Sequence, residues 1–154
     1  MKTHHFENFS VITDAVDIKV DMSVLDDRFN KAQFALDSAI MTSMVPFMPH
    51  RDGSFINRTQ AESAAIAGSG EVVAGAAPFG RFLYEGKTMV DEKTGSPWAR
   101  RGAKKVLVSQ YTGKTNAKEN LTFSKDRQSH WLEPAVKADG DSWVKVVANI
   151  IGGD

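Results

Sequence analysis

The stretch SVLDDRFNKAQFALDSAI, residues Ser23–Ile40, decides the fold because it is the clearest helix pattern in the chain. Ser23 can act as the N-cap, and Asp26 and Asp27 follow in the first turn, where the helix dipole favours negative charge. The apolar stripe consists of Leu25, Phe29, Ala32, Leu36, Ala39 and Ile40. Pro46 ends the pattern because proline has no N–H to donate. The sequence therefore predicts about twenty residues of helix spanning the core.

Strand patterns lie on both sides of this helix. Val16–Val20 alternates apolar and polar residues, as a half-buried strand does. The double-proline turn Pro46–Gly53 is followed by strand-like residues up to Ala67. Further predicted elements are a hairpin turn at 68–70, a strand at 71–74, a short helix at 78–84 and a strand at 105–109.

A second helix is predicted at the C-terminus. Asp141 can cap it, and Gly152 and Gly153 end it. Its apolar stripe consists of Trp143, Val146, Val147, Ile150 and Ile151. We expect Trp143→Ala to cost about 3 kcal/mol if Trp143 is a core residue. Upstream, Pro134 suits the first turn of a helix and would break a longer one.

The order of strand, long helix, several strands and helix predicts an α+β fold. We expect the long N-terminal helix and the C-terminal helix to pack on a small, mostly antiparallel sheet. Residues 86–118 would form an extended basic loop or hairpin arm within a single domain of residues 1–154. Residues 1–10 would be a flexible N-terminus.

Bulk composition excludes several classes of protein. The 154 residues include no cysteine, which excludes disulfides and thiolate metal sites. The sequence has no run of eighteen apolar residues, and its first residues lack the apolar core of a signal peptide. We therefore expect a protein made and kept in the cytoplasm, or passed to an assembly built there, without contact to a membrane.

Charge is unevenly spread in a chain whose formal net charge is zero. Residues 1–40 contain four Lys and Arg against seven acidic residues, a net charge of −3. Residues 86–118 contain eight Lys and Arg against two acidic residues, a net charge of +6. A compact basic segment indicates an acidic partner, which could be another protein, a second copy of the chain or nucleic acid. A solvated loop is the plainer alternative.

Two Gly-Lys-Thr triplets, Gly86–Thr88 and Gly113–Thr115, resemble the end of a phosphate-binding loop. Such a loop needs another glycine five positions earlier, where this chain has Arg81 and Val108. Neither triplet is followed by a helix pattern. Both are therefore predicted to be polar turns.

Residues for catalysis or metal binding do not form a recognisable set. His4 and His5 are terminal, and His130 with Glu133 is a single pair at helical spacing, which is too few ligands for zinc. The carboxylates are scattered, and no nucleophile elbow is present. We expect no enzymatic activity and no cofactor.

Three stretches in order resemble a known family. They are PHRDGSF at Pro49–Phe55, GEVV at Gly70–Val73 followed by PFGRFLYEG at Pro78–Gly86, and HW at His130–Trp131. Their order and spacing are similar to those of the minor capsid proteins of tailed bacteriophages and prophages, especially of Gram-positive hosts. The resemblance covers roughly residues 35–151 and extends to the small neck proteins of the head–tail connector.

The resemblance implies a structural virion protein at the head–tail junction. Such proteins form homo-oligomeric rings around the DNA channel, here of about six or twelve copies, and contact other neck, portal-side and tail proteins. The basic segment could face a neighbouring subunit or the backbone of packaged DNA. A tail-terminator subunit and a small nucleic-acid-binding protein using residues 86–118 are the alternatives.

Candidate residues fall into two groups. The interface or DNA-channel candidates are Lys87, Trp98, Arg100, Arg101, Lys104, Lys105 and Lys114. The motif residues with a structural role are Pro49, Gly53, Pro78, Arg81, Tyr84, Gly86, His130 and Trp131. We expect Arg81 and Tyr84 to pack at the foot of the basic segment.

Overall fold

The computed structural model of the protein describes residues 5–12, 17–98 and 100–152. Within these ranges the α+β class is confirmed, with long helices towards both termini and short strands in two antiparallel pairs. The helices are α1 Ser23–Met44, α2 Ser54–Ile66, α3 Gly80–Glu85 and α4 Leu132–Gly152, with 3-10 turns at Val45–Phe47 and Val108–Gln110. The strands are β1 Phe9–Ile12, β2 Asp17–Val20, β3 Met89–Asp91 and β4 Lys105–Leu107.

The chain groups into two compact units. Unit 1 consists of Met1–Ser43, Gln60–Val73 and Ala135–Asp154, and unit 2 consists of Met44–Thr59 and Ala74–Pro134. The single domain expected over the whole chain stays a prediction. None of the described helices combines the length and the apolar character that a membrane crossing requires.

Helix α1 has the bounds that the sequence predicts. All six residues of the predicted apolar stripe are buried or half-buried. The carboxylate of Asp21 accepts the backbone N–H of Ser23 at 2.9 Å, so the cap at this end comes from Asp21. This bond and one from the Ser23 hydroxyl lower the pKa of Asp21. Pro46 follows in the 3-10 turn that ends the helix.

The β1–β2 hairpin is only partly predicted by the sequence. Strand β2 confirms the predicted strand, although Val16 lies outside the described residues. Strand β1 pairs with it antiparallel, and Phe9 is opposite Val20. Because β1 begins at Phe9, the last two residues of the segment expected to be a flexible N-terminus belong to a strand.

Helix α2 replaces the strand-like segment that the sequence predicts up to Ala67, so that prediction is wrong. The helix is started by Asp52, whose carboxylate accepts the backbone N–H and the hydroxyl of Ser54 at 3.0 and 2.7 Å. The buried positions Ile56, Thr59 and Ser63 recur every three or four residues, as a helix requires. Because two of these residues are polar, the apolar period of the helix is hidden in the sequence.

The predicted hairpin at 68–74 is also absent. Residues 71–74 belong to no strand, and the turn at Gly68–Gly70 ends α2. Asp37 on α1 holds this turn, because its Oδ2 accepts the backbone N–H groups of Gly68 and Gly70 at 2.7 and 3.1 Å. Its Oδ1 accepts the Gln33 side-chain amide at 2.7 Å. One buried carboxylate therefore holds the turn in place of a strand pair.

Replacing Asp37 with Asn is expected to lower the free energy of unfolding by about 2–4 kcal/mol, because hydrogen bonds to a charged acceptor are among the strong ones. Asp37 is 2% exposed, so water cannot replace the lost acceptor. Chemical denaturation followed by circular dichroism measures the loss. Asp141→Asn on α4 is the control, since Asp141 is exposed and its change should stay within about 0.5 kcal/mol. Equal losses would contradict the role of Asp37.

Helix α4 begins earlier than predicted. It starts at Leu132, so Pro134 occupies the first turn as expected, whereas Asp141 lies inside the helix and does not cap it. The predicted apolar stripe is half-buried, including Trp143, whose indole N–H donates to the Ser43 hydroxyl at 3.1 Å. We therefore expect Trp143→Ala to cost less than a full core tryptophan would. Gly153 lies outside the described residues.

Candidate interaction surface

Phe55, Tyr84 and Trp131, one residue from each of the three stretches that carry the family resemblance, meet in unit 2. Trp131 is fully buried, and its indole N–H donates to the carbonyl of Ala74 at 2.9 Å. The Tyr84 ring packs edge-on against it with ring centres 4.8 Å apart, and the Phe55 ring does so at 6.1 Å. Aromatic pairs of this geometry stabilise beyond the area they bury. One side chain from each stretch therefore contributes to a single aromatic cluster.

Helix α3 positions Tyr84 in this cluster and ends at Gly86. Gly86 has a left-handed backbone (φ 68°), and a Cβ there would lie 3.0 Å from the Cβ of Ser129. The backbone N–H of His130 donates to the carbonyl of Tyr84 at 2.9 Å. Gly86 is thus the C-cap of α3. It lies at the C-terminal end of the helix, where the helix dipole is negative and repels anions.

Of the two Gly-Lys-Thr triplets, the first has Gly86 in a turn and Lys87 in a bridge with Asn120, and the second is irregular with a bend at Gly113. After Gly86, the Thr88 N–H donates to the carbonyl of Glu119 at 2.9 Å, and chain 119–121 runs beside it. In the second triplet, the Thr115 hydroxyl donates to the carbonyl of Gly95 at 2.6 Å. Neither triplet precedes a helix.

His130 lies between two carboxylates beside Tyr84. Its Nδ1 is 3.5 Å from Glu133, and its Nε2 is 3.7 Å from Glu85. Burial, followed by the charges of Glu133 and Glu85, raises the pKa of Tyr84. In the part of the chain that the structure describes, no group of three His, Cys, Asp or Glu side chains could hold a metal ion. His4 lies outside the described residues, and His5 contacts Asp26 at 3.0 Å.

The other motif residues differ in burial and in the elements that they adjoin. Gly53 has φ +81° and precedes α2, Pro49 is half-buried, and Pro78 is exposed just before α3. Arg81, however, is exposed on α3, so the expectation that it packs at the foot of the basic segment is wrong. Because α3 buries Gly80 and half-buries Tyr84, Arg81 falls on its solvent side.

The basic segment contains the β3–β4 hairpin, which pairs Met89 with Leu107 and Asp91 with Lys105. Its long loop, residues 92–104, is organised by the buried carboxylate of Asp91. One oxygen of Asp91 accepts the backbone N–H groups of Lys93 and Thr94 at 2.8 and 3.1 Å. The Lys93 bond is the main cause that lowers the pKa of Asp91, and Thr94 and Arg100 add to it.

The predicted interface residues cluster along this loop, with Lys87 apart. Trp98 is 82% exposed, and Arg101 is also exposed. Arg100 lies 3.6 Å from Asp91, and Lys104 lies 3.0 Å from Glu92. The loop bearing Lys114 reaches the same region through the bond from Thr115 to Gly95. An exposed tryptophan and several exposed cations therefore belong to the same loop region, which we call the basic loop (residues 92–104 with 112–117).

A groove of about 660 Å³ lies next to the basic loop in unit 2. Its apolar lining comes from Phe55, Phe79, Phe82, Leu83, Met89, Leu121 and Phe123. Arg51, Lys87 and Lys105 line it as well, and the Lys105 ammonium donates to the carbonyl of Pro97 at 3.2 Å. We call this site the aromatic groove. The sequence shows Phe79 and Phe82 as neighbours, but nothing in it indicates that Phe123 joins them.

The described residues of unit 2 offer apolar, aromatic and cationic contact surface. Apolar rings, exposed cations and an exposed indole are features of surfaces that bind macromolecules. The chain matches no protein-family model, and no curated protein or solved structure is significantly similar to it. Any statement of function therefore depends on the surface itself and on the resemblance of the three stretches.

Proposed function

We propose that this protein is a structural virion component of a tailed phage that joins head and tail, as a ring of subunits around the DNA channel. The resemblance of the three stretches supports the class. The observation that carries the proposal is the aromatic cluster, because Phe55, Tyr84 and Trp131 each come from a different one of these stretches. One residue from each stretch that carries the resemblance therefore packs in the same aromatic cluster.

The surface beside this cluster suits a role in assembly. Trp98 is the kind of large, exposed side chain that anchors a protein interface. The cations around it match an acidic neighbour, and the chain itself is acidic over residues 1–40. We propose a structural, non-enzymatic role for these features, whose described side chains supply contacts and charge.

Immunolabelling tests this proposal directly. An antibody to the chain would be applied to a lysate of the source organism after prophage induction, and the particles viewed by negative-stain electron microscopy. Label at the junction of head and tail is the expected result. Label on tails that lack heads would favour a tail-terminator subunit. Tailed particles without label would remove the virion role.

A small nucleic-acid-binding protein is the second candidate, and the basic loop favours it. Arg100, Arg101, Lys104 and Lys114 are exposed in the basic loop, which also contains an exposed indole on which a base could stack. Binding of this kind weakens steeply as salt is added. The logarithm of the binding constant falls against the logarithm of the salt concentration with a slope of about −0.9 for each phosphate contacted in duplex DNA. A steep slope for the free protein, together with unlabelled particles, would favour this candidate.

Removing the exposed cations of the basic loop should block assembly and leave the fold intact. The variant carries Arg101→Ser, Lys104→Ser and Lys114→Ser, and keeps Arg100 and Lys105, which contact Asp91 and Pro97. The Lys104–Glu92 pair is exposed, so its loss should cost about 1 kcal/mol or less. We expect the yield of joined particles to fall by about tenfold or more, measured by complementing a phage that lacks the gene.

The matched control removes the same number of cations elsewhere. Lys31, Lys137 and Lys145 are exposed on α1 and α4, and their replacement by Ser lowers the net charge equally. Normal particle yield from this control and a low yield from the basic-loop variant would assign the effect to the loop. A normal yield from both variants would contradict a role for the loop in assembly.

A further inference from the structure

The β1–β2 hairpin has an apolar face that the described chain leaves open. Residues directly opposite in an antiparallel pair share a face, so Phe9 with Val20 and Val11 with Ile18 lie together. Phe9, Val11 and Ile18 are 54%, 49% and 49% exposed. Three large apolar side chains side by side on one face indicate a surface that another molecule covers.

Among the described residues, two contacts hold the base of the hairpin. Asn8 accepts the backbone N–H of Met22 at 2.7 Å, and the Phe6 ring packs against Phe29 of α1 with centres 5.2 Å apart. A two-stranded hairpin is at best marginally stable in water without a surface on which to pack its apolar side. The base fixes the position of the hairpin on α1, and a partner is needed for the rest.

The aromatic groove complements this face in apolar character and in charge. Phe79 in its wall is itself 57% exposed, so the groove presents apolar surface to a partner. Its charged residues Arg51, Lys87 and Lys105 outnumber Asp52, which gives a net charge of +2. In the described parts of residues 5–21, three acidic residues, Glu7, Asp17 and Asp21, outnumber Lys19, which gives −2.

We propose that the apolar face of the β1–β2 hairpin of one copy docks in the aromatic groove of a second copy of this chain. Both surfaces belong to this chain. Each is apolar, and the hairpin segment has a net charge of −2 where the groove has +2, which favours a second copy over an unrelated partner. The contact rests on the proposed function for its setting, since it would join neighbouring subunits of the ring. Its two sides are different surfaces, so repetition generates a closed ring or a filament.

Cysteine crosslinking tests this contact without background reaction from native thiols, because the chain contains no cysteine. One preparation carries Val11→Cys in the hairpin, and the other carries Phe79→Cys in the groove wall. Both residues are exposed, so both variants should fold, which circular dichroism checks. The full-length proteins are mixed and treated with a short bis-maleimide. The control mixture pairs Val11→Cys with Lys145→Cys, an exposed position on α4.

The expected result is on the order of tenfold more crosslinked heterodimer from the hairpin–groove mixture than from the control, since docking raises the local concentration of the two thiols. Equal yields would overturn the proposal, as would a dominant Val11→Cys homodimer, which indicates contact between hairpins. A double variant crosslinked within one monomer at high dilution would also overturn it.

The test separates this contact from the proposed function. A hairpin–groove crosslink with unlabelled phage particles would keep the contact between copies and remove the virion role. Label at the head–tail junction without the crosslink would keep the virion role and remove this contact.

Discussion

Trp131→Ala is expected to lower the free energy of unfolding by about 3–5 kcal/mol, the range for truncating a large aromatic side chain in a core. Trp131 is fully buried, and two rings, Tyr84 and Phe55, pack edge-on against it. Alanine would remove both contacts and leave a cavity that the surrounding backbone can close only in part. Denaturant unfolding followed by circular dichroism measures the loss.

Trp98→Ala is the matched control for this substitution. It removes the same side chain from a site that is 82% exposed, so we expect a change within about 0.5 kcal/mol. Trp131→Phe separates packing from hydrogen bonding, because it keeps a ring and leaves the carbonyl of Ala74 without its indole donor. That loss should cost about 1–3 kcal/mol. Equal losses of unfolding free energy in the two alanine variants would contradict the role of Trp131 as a core residue.

The long helices could be predicted because their sequence carries the period of a helix. In α1 the apolar residues recur at helical spacing, and Pro46 marks the end. Helix α2 was missed since Thr59 and Ser63 occupy buried positions that are normally apolar. The Thr59 hydroxyl donates to the carbonyl of Phe55 at 2.9 Å and accepts the N–H of Ala76 at 3.0 Å, so its burial depends on a partner distant in sequence.

The sequence predicts which residues belong to the candidate surface, but it does not predict how they are arranged in space. Clustering of cations in residues 86–118 follows from the sequence alone, and five of these eight cations lie in the two segments of the basic loop. The aromatic groove depends on Phe123 meeting Phe79 and Phe82, which are some forty residues away in the chain. Arg81 was misplaced because the side of a six-residue helix that faces solvent is set by its neighbours.

The apolar face of the β1–β2 hairpin was hidden from the sequence for a different reason. Alternation in Asp17–Val20 predicts one strand with a buried side, yet the structure leaves Ile18 about half exposed. A period-two pattern records that one side of a strand is apolar. It does not record whether the covering surface belongs to the same chain or to another one.

The second large effect is expected from Gly80→Ala, because the backbones of Gly80 and Gly75 are in direct contact in unit 2. A Cβ on Gly80 would overlap the carbonyl oxygen of Gly75 and lie 2.7 Å from its Cα. The neighbour is backbone and cannot rotate away, so either the turn before α3 or the helix must move. The Gly80 N–H also donates to the carbonyl of Ala76 at 2.8 Å, and movement would strain this bond.

We expect Gly80→Ala to lower the free energy of unfolding by about 3 kcal/mol or more, at the upper end of the range for overpacking. Gly140→Ala is the matched control, because Gly140 lies inside α4 and its new Cβ would meet only Val136 at 3.8 Å. Alanine is the better helix former, so this control should stabilise by about 0.5–1 kcal/mol. The same substitution is thus expected to act with opposite sign at the two sites, and denaturant unfolding measures both. A Gly80→Ala variant as stable as the unsubstituted protein would show that the two backbones do not touch, and α3 would then be free to place Tyr84 elsewhere than against Trp131.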